Sequence, residues 1–316
     1  MARNRVIYQS EALFVSAQYT GGQTIDIVNG SHFGDYGTQD DGSHMRSGDF
    51  HQIHRVQSAN YNFAINRTDV NQFGNLARID TAVIDAPTVG LDFTYLVTNG
   101  LNEDKLGITV DLQGSSSTHR SAISGLLSNI SGRNYHIVTV QEGRDANSDG
   151  TIADTNLAQD NNSTVISIGN GYITNYSVNA AVGSLPTASV SVEGLNITAQ
   201  TAGTGLLTPA INPSDGTMGT GLFSLPTPVS GTVGDILRPG DIEINLTDGG
   251  ATGLLANMSD AGGKTAAHIQ SFSIDLPMGR SVLQRLGNSF GFAREVDFPV
   301  SVTCSISAIA ADLKAG

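Results

Sequence analysis

Oxygen-bearing side chains recur at alternate positions in one acidic loop, with the spacing that calcium-binding loops use. Asp145, Asn147 and Asp149 occupy the first, third and fifth positions, and a glycine follows at the sixth. The twelfth position is Asn156, so the bidentate carboxylate that closes such a site is missing, and Asp154 replaces it only with a different geometry. We therefore expect a polar turn and no cofactor. A structural calcium ion held by the alternating side chains and Asp154 is the alternative.

A second candidate for metal chemistry is a cluster of histidines near the N-terminus. Four of the seven histidines lie within 23 residues, among several aspartates. These are His32, His44, His51 and His54, interspersed with Asp35, Asp40, Asp41 and Asp49. Imidazole and carboxylate groups bind zinc or iron, but these spacings match no known ligand pair on a defined element. We expect an exposed loop, with metal binding as the alternative.

Catalytic groups are not evident elsewhere in the sequence. The chain contains no GxSxG, P-loop, dinucleotide-binding or HExxH motif. The paired carboxylates, such as Glu103 and Asp104, fall in predicted turns, where solvated charge is the ordinary role. Cys304 lies in an alternating apolar strand, which predicts a small buried hydrophobic residue and not a reactive thiol. We therefore predict no catalytic residues and a protein that is not an enzyme.

Charge and composition narrow the class of protein. With 29 acidic and 16 basic residues, the formal net charge is −13, and no basic cluster is present, so attraction to nucleic acid is not expected. The 37 glycines, the absence of Trp and the lack of long Leu-rich helical stretches are typical of a β-rich protein with many turns. A single cysteine excludes an internal disulfide, and no long apolar run is present. We expect synthesis in a reducing cytosol and no membrane binding.

The elements that must position these residues are organised by an internal repeat. Residues 56–75 align without a gap with residues 269–288, an offset of 213 positions. Five positions are identical, including Arg67/Arg280 and Gly74/Gly287, and most others keep their apolar or polar character. Each copy contains an alternating strand and a short segment ending in glycine, for which we predict one helical turn from position 68 to 74. A Pro-led strand follows each copy, and such repetition usually builds an architecture.

The strand pattern predicts a mainly β fold with tandem β-sandwich or barrel modules and one or two short helices. We expect a first β-module at residues 1–112 and an insertion at 113–164 that holds a short helix and the acidic loop. A second β-module is expected at 165–316, with its own insertion at 198–262. The clearest hairpin signal is a strand beginning near residue 166, a Gly183-Ser184 turn and a strand beginning at Pro186-Thr187.

Three segments resemble the tail tube proteins of tailed bacteriophages. They are residues 59–103, 134–146 and 169–197, and the Pro-Thr followed by alternating small and apolar residues is the most recognisable part. The resemblance implies β-modules of tail-tube type whose hairpins join those of neighbouring subunits into a ring. Stacked rings then form the tail tube, the conduit through which DNA leaves the virion. This chain is longer than the common single-module subunit and carries the internal repeat.

The resemblance also implies partners and a location. The chain would be made in the bacterial host cytoplasm and act in the virion tail, in contact with itself and with other tail proteins. Two modules per chain favour a ring of three chains over a ring of six. Double-stranded DNA would pass transiently without specific binding, and an acidic lumen would keep it sliding.

Two other classes of function stay open from the sequence. Another β-protein of the virion, such as a neck, tail terminator or capsid-decorating protein, shares the same strand pattern. A calcium-binding β-sandwich of the adhesin or carbohydrate-binding type would account for residues 145–154 and for the turn-rich strands. That second class does not account for an N-terminus that lacks a continuous apolar stretch of signal-peptide length.

Overall fold

The computed structural model describes residues 11–17, 44–45, 50–98, 100–108, 126, 132–139, 164–201, 206–212, 215–223, 225, 236–242 and 267–310. Within these ranges nearly all regular structure is β-strand. The first nine strands are β1 (Glu11–Ala17), β2 (His44–Met45), β3 (Phe50–Ile53), β4 (Val56–Ala64), β5 (Arg67–Val70), β6 (Asp80–Val83), β7 (Thr88–Leu96), β8 (Arg133–Thr139) and β9 (Thr164–Ala181).

Eight further strands follow in the described part of the chain. They are β10 (Thr187–Gly194), β11 (Asn196–Thr201), β12 (Leu206–Leu207), β13 (Leu222–Phe223), β14 (Ala267–Pro277), β15 (Arg280–Leu283), β16 (Ala293–Val296) and β17 (Thr303–Ala310). The described helical residues are those of a short helix α1 (Leu101–Leu106), a 3₁₀ turn (Pro239–Asp241) and Leu126. The prediction of a mainly β fold is confirmed. The helix expected within 113–164 lies outside the described residues, except for Leu126.

The longest strand, β9, joins two layers of sheet. Its 18 residues interleave Val, Ile and Tyr with smaller residues, a composition that favours extended backbone. The first half of β9 pairs with β8 and β11, and the second half pairs with β10 and β14. One layer therefore has the strand order β3-β1-β8-β9-β11. The other has the order β4-β7-β10-β9-β14-β17, and all of these pairings are antiparallel.

The change between the two layers occurs at Asn170. Its backbone has a φ of 54°, in the left-handed region that asparagine tolerates better than most residues. The side-chain Nδ2 of Asn170 donates a hydrogen bond to the carbonyl of Ile211 at 2.9 Å, and its Oδ1 accepts one from the Ile211 amide at 2.7 Å. The local turn in the backbone is thus held by contacts with a segment 41 residues away.

The hydrophobic core lies between the two layers. β7 alternates strictly, so that Val89, Leu91, Phe93 and Tyr95 point inward and are at most 1% exposed. The ring of Phe93 on the six-stranded layer lies 6.2 Å from the ring of Tyr135 on the five-stranded layer. One continuous apolar cluster therefore includes side chains from both layers, and the arrangement has the character of a β-sandwich.

A buried histidine is packed inside the five-stranded layer. His136 is 1% exposed, with Ser16 Oγ 3.3 Å from its Nε2 and Ser167 Oγ 2.8 Å from its Nδ1. The aromatic rings of Phe50 and Phe223 pack against the imidazole at centroid distances of 5.2 Å and 4.7 Å. Burial lowers the pKa of His136 to about 3, because the charged form loses its hydration. We interpret His136 as a neutral core residue.

The prediction that Glu103 is a solvated turn residue is wrong. Glu103 lies on α1 and is 7% exposed. Its Oε1 accepts hydrogen bonds from the hydroxyls of Tyr95 at 2.9 Å and Tyr176 at 3.2 Å. Burial is the main reason why the pKa values of both tyrosines are raised, and proximity to Glu103 adds to it. The carboxyl group anchors α1 beneath the six-stranded layer.

Strands from all three predicted ranges pair with one another. β1 of the first range pairs with β8 of the second, and β7 of the first range pairs with β10 of the third. Within the 198–262 range, β13 pairs with β2. These ranges therefore share one sheet system. The division into 1–112, 113–164 and 165–316 stays a prediction. The predicted hairpin is confirmed: β9 and β10 are joined by a turn in which Gly183 has a φ of 86°.

Candidate assembly surface

The sequence repeat forms two similar structural units, which we call the first arm (residues 56–96) and the second arm (residues 269–309). In the first arm, β4 and β7 form a long hairpin whose distal part is the short pair β5–β6. In the second arm, β14 and β17 form the hairpin, and β15–β16 form its distal pair. The boundaries of β5 and β15, and those of β6 and β16, differ by the same 213 positions as the sequence repeat.

The agreement extends to the register of the strands. Ala59 opposes Phe93 in the first arm, and Phe272 opposes Ile306 at the equivalent positions of the second. Each arm also has a register shift at the same place, after Val56 in β4 and after Ile269 in β14. A bulge at equivalent positions bends and twists both hairpins in the same way. The repeat therefore specifies three-dimensional structure.

The helical turn predicted at residues 68–74 is wrong. Thr68 and Val70 belong to strand β5, because the segment pairs with β6 through four consecutive residues. The chain then reverses in a turn closed by the amide of Asn75 and the carbonyl of Gln72, 3.1 Å apart. Gly74 has a φ of 96° in this turn, so its role as a terminator is correct although the element is a strand.

The two arms differ sharply in burial at equivalent apolar positions. Leu276 and Met278 of the second arm are 5% and 0% exposed. The matching residues of the first arm, Phe63 and Ile65, are 62% and 44% exposed. Leu276 and Met278 belong to the hydrophobic core cluster, and β14 is flanked by both β9 and β17. Phe63 and Ile65 are not part of that cluster, and β4 pairs only with β7 among the described strands.

The first arm consequently exposes many large apolar side chains to solvent. All residues from 60 to 80 are exposed, although β4, β5 and β6 are regular strands. The large apolar side chains that share this exposure are Tyr61, Phe63, Ile65, Val70, Phe73, Leu76 and Ile79. Apolar patches of this extent, in contrast to single exposed residues, mark interaction surfaces.

The two outermost strands of the six-stranded layer, β4 and β17, run in opposite directions. Within the described part of the chain, β4 pairs only with β7 at one end, and β17 pairs only with β14 at the other. Such edges carry backbone N–H and C=O groups that template the addition of another strand. Because neighbouring strands alternate in direction, β17 of one copy placed beside β4 of another continues the antiparallel order.

The prediction that Cys304 is buried is wrong. Cys304 lies on β17 and is exposed, as are nearly all residues of this strand on both faces. Cys304 shares one face of the strand with Ile306 and Ala308, an alternating pattern that is typical of a strand with a covered face. Nothing in the described part of the chain covers that face. β17 thus shares with the first arm a sequence suited to burial and an exposed position.

The identical arginines of the repeat also have different surroundings. In the second arm, the Cζ of Arg280 lies 5.0 Å from the centre of the Tyr172 ring on β9. Arg280 Nη2 donates a hydrogen bond to the carbonyl of Leu126 at 3.2 Å. Its equivalent Arg67, in the first arm, is exposed to solvent. The same residue type therefore contacts the body of the protein in one arm and projects into solvent in the other.

Most of the predicted metal-binding residues lie outside the described ranges. Asp145, Asn147, Asp149 and Asp154 lie outside the described residues, as does His32, so the predictions for them stay untested. His51 and His54 lie at and just beyond β3, and burial lowers the pKa of both. Among the described residues, no three His, Cys, Asp or Glu side chains are grouped in a way that would hold a metal ion.

Comparison of the sequence with protein-family models gives no match, and neither does comparison with curated protein sequences. None of the helices in the described ranges is long and apolar enough to cross a membrane. The assignment of function therefore depends on the geometry of the arms and of the strand edges.

Proposed function

We propose that this chain is a structural protein that assembles head to tail into rings of tail-tube type. The observation that carries the proposal is the unequal burial of the repeat, in which Phe63 and Ile65 are exposed where Leu276 and Met278 are buried. Because the two arms have similar sequences and structures, we expect their equivalent apolar side chains to be buried alike in the assembled protein. In the second arm the cover comes from the chain itself, and for the first arm a neighbouring copy supplies it.

The two strand edges support the same arrangement. Joining β17 of one copy to β4 of the next is a heterologous contact, which produces a closed ring if the rotation between copies closes. Closure removes both exposed edges, the usual solution for a sheet that would otherwise aggregate. Two arms per chain favour three chains in the ring, and six chains are the alternative.

The resemblance to tail tube proteins supplies the function of such rings. Stacked rings enclose a channel for DNA, and the net charge of −13 suits a wall along which a polyanion slides without binding. In this proposal the chain acts in the virion tail as the conduit for DNA ejection, and other tail proteins are its further partners. The chain needs no catalytic group and no cofactor for this role.

Negative-stain electron microscopy and native mass spectrometry of the purified chain test the proposal. We expect rings or tubes, with a mass that corresponds to three chains per ring. Rings that never stack would favour a neck or tail terminator protein. A chain that stays monomeric at its highest soluble concentration, and whose melting temperature rises with calcium, would instead favour an adhesin or carbohydrate-binding module and refute the assembly proposal.

A further inference from the structure

Three arginines converge where the distal part of the second arm meets the body of the protein. Arg133 begins β8, Arg280 begins β15, and Arg294 lies in β16. Arg294 is 6% exposed, and its Nη1 lies 2.9 Å from Oε1 of Glu193. The guanidinium carbons of Arg280 and Arg294 lie 5.0 Å and 5.7 Å from the centre of the Tyr172 ring. The aromatic ring of Tyr172 thus lies near two guanidinium groups of the same β15–β16 hairpin.

The cluster contains buried hydrogen-bond donors without acceptors. Among the residues that the structure describes, the Nε atoms of Arg280 and Arg294 are buried and have no hydrogen-bond partner. The hydroxyl of Tyr135, a residue that is 0% exposed, also has none. Buried donors are nearly always satisfied in folded proteins, and donors on charged groups are the most costly to leave without an acceptor. The cluster therefore lacks an acceptor of hydrogen bonds.

The electrostatics of the cluster indicate that the missing group is an anion. The pKa of Arg280 is lowered mainly by burial, and the nearby Arg294 and Arg133 lower it further. Burial raises the pKa of Tyr135 to about 12, and the positive charges of Arg133 and Arg280 oppose this rise. Within the described ranges, the acidic groups that interact with the cluster are Glu193 and Glu295, so its three arginines carry one positive charge in excess.

We propose that this arginine cluster is a binding site for a small oxyanion such as phosphate, held between the second arm and the body. An oxyanion is an acceptor with several lone pairs, and guanidinium groups match its geometry. The bound anion accepts from Arg280, Arg294 and the Tyr135 hydroxyl, and it fixes the β15–β16 pair against β9. This site is independent of self-assembly, because every group in it comes from one chain.

The first arm provides an internal control for this site. Its equivalent of Arg280 is Arg67, which is exposed, and its equivalent of Arg294 is Thr81. The arginine pair is therefore present in the second arm alone, and we expect one anion site per chain. Arg67→Gln removes the same charge from the same repeat position without touching the cluster.

Isothermal titration with inorganic phosphate, at constant ionic strength set with chloride, tests the proposal. We expect one phosphate per chain for the unaltered protein and for Arg67→Gln, and loss of binding in Arg280→Gln. Phosphate should also raise the melting temperature of the unaltered protein and of Arg67→Gln, but not that of Arg280→Gln. Phosphate stabilises many proteins by general exclusion from their surface, and the pair of variants separates that effect from the specific one.

A second variant keeps the test valid if Arg280→Gln does not fold. Tyr135→Phe removes only a buried hydroxyl that has no partner, so we expect a folded protein that is at least as stable without phosphate. Phosphate affinity should fall roughly tenfold, the effect of losing one hydrogen bond to a charged group. No binding by the unaltered protein, several equivalent weak sites, or equal binding by Arg280→Gln would mean an adventitious ion only and would overturn the proposal.

Discussion

Truncation of equivalent apolar residues in the two arms should change the stability of the free chain by very different amounts. In the first arm, Phe63→Ala with Ile65→Ala removes side chains that are 62% and 44% exposed in the free chain. We expect the stability of the free chain to change by no more than about 0.5 kcal/mol, as for ordinary surface substitutions. In the second arm, Leu276→Ala removes a side chain that is 5% exposed and belongs to the core. We expect a loss of roughly 2–5 kcal/mol there.

The same first-arm variant should weaken assembly. An aromatic side chain has roughly 200 Å² of surface, so the exposed fraction of Phe63 amounts to about 120 Å², and that of Ile65 to about 80 Å². At about 25 cal/mol per Å², burial of this area contributes roughly 5 kcal/mol. Alanine retains part of the contact, so we expect a loss of about 3 kcal/mol at each interface. This corresponds to roughly 100-fold weaker association.

Two measurements separate the effects. Urea unfolding of the free chain gives stability, and sedimentation velocity over a concentration series gives association. The proposed arrangement requires normal stability with weakened association for the first-arm variant. Leu276→Ala should instead lose stability directly. Unchanged association of the Phe63→Ala, Ile65→Ala variant, or a stability loss in it as large as that of Leu276→Ala, would refute the reasoning.

Three further predictions concern the folded chain. The pKa of His136 is about 3 in the folded state and about 6.5 in the unfolded state, so the unfolded chain takes up the proton first as the pH drops. The free energy of unfolding should therefore fall by about 1.4 kcal/mol per pH unit below pH 6.5. Urea unfolding of His136→Gln should show a shallower fall between pH 6.5 and 5 than that of the unaltered chain. Gly169→Ala places a methyl group 2.6 Å from the carbonyl carbon of Pro209, so we expect thermal unfolding to show a loss of roughly 1–3 kcal/mol, whereas Gly240→Ala, with no atom within 4 Å of the new carbon, should be nearly neutral. Cys304 should react readily with a maleimide in the free chain and slowly once rings form, because β17 is then covered; equal labelling rates before and after assembly would contradict the proposed edge pairing.

Local sequence patterns predicted the elements that depend on neighbouring residues. The β9–β10 hairpin follows from alternation on both sides of a glycine turn, and the equivalence of the arms follows from the aligned repeat. The secondary structure of residues 68–74 was harder to predict from sequence. Two apolar residues three positions apart, Val70 and Phe73, fit a helical turn but do not exclude a strand. Pairing with β6 decided the outcome.

Burial was the property that sequence could not supply. The pattern of Phe63 and Ile65 predicts a covered face, and so does the pattern around Cys304, but neither pattern says which chain covers it. The arginine cluster was also invisible, because Arg133 and Arg280 are distant in sequence and meet only when β8 and β15 approach the same strand. Glu103 was misjudged for the same reason, since Tyr176 reaches it from 73 residues away.

The positions of the two free edges in the chain have a consequence for biosynthesis. β4 leaves the ribosome early, and its proposed partner β17 follows roughly 240 residues later. At about 5–20 residues per second, this separation amounts to a delay of roughly 10–50 s. During that time the nascent chain has an exposed β4 edge but has not yet made its own β17. In the proposed ring, the β4 edge of a nascent chain therefore becomes available to a neighbour before its own β17 edge does.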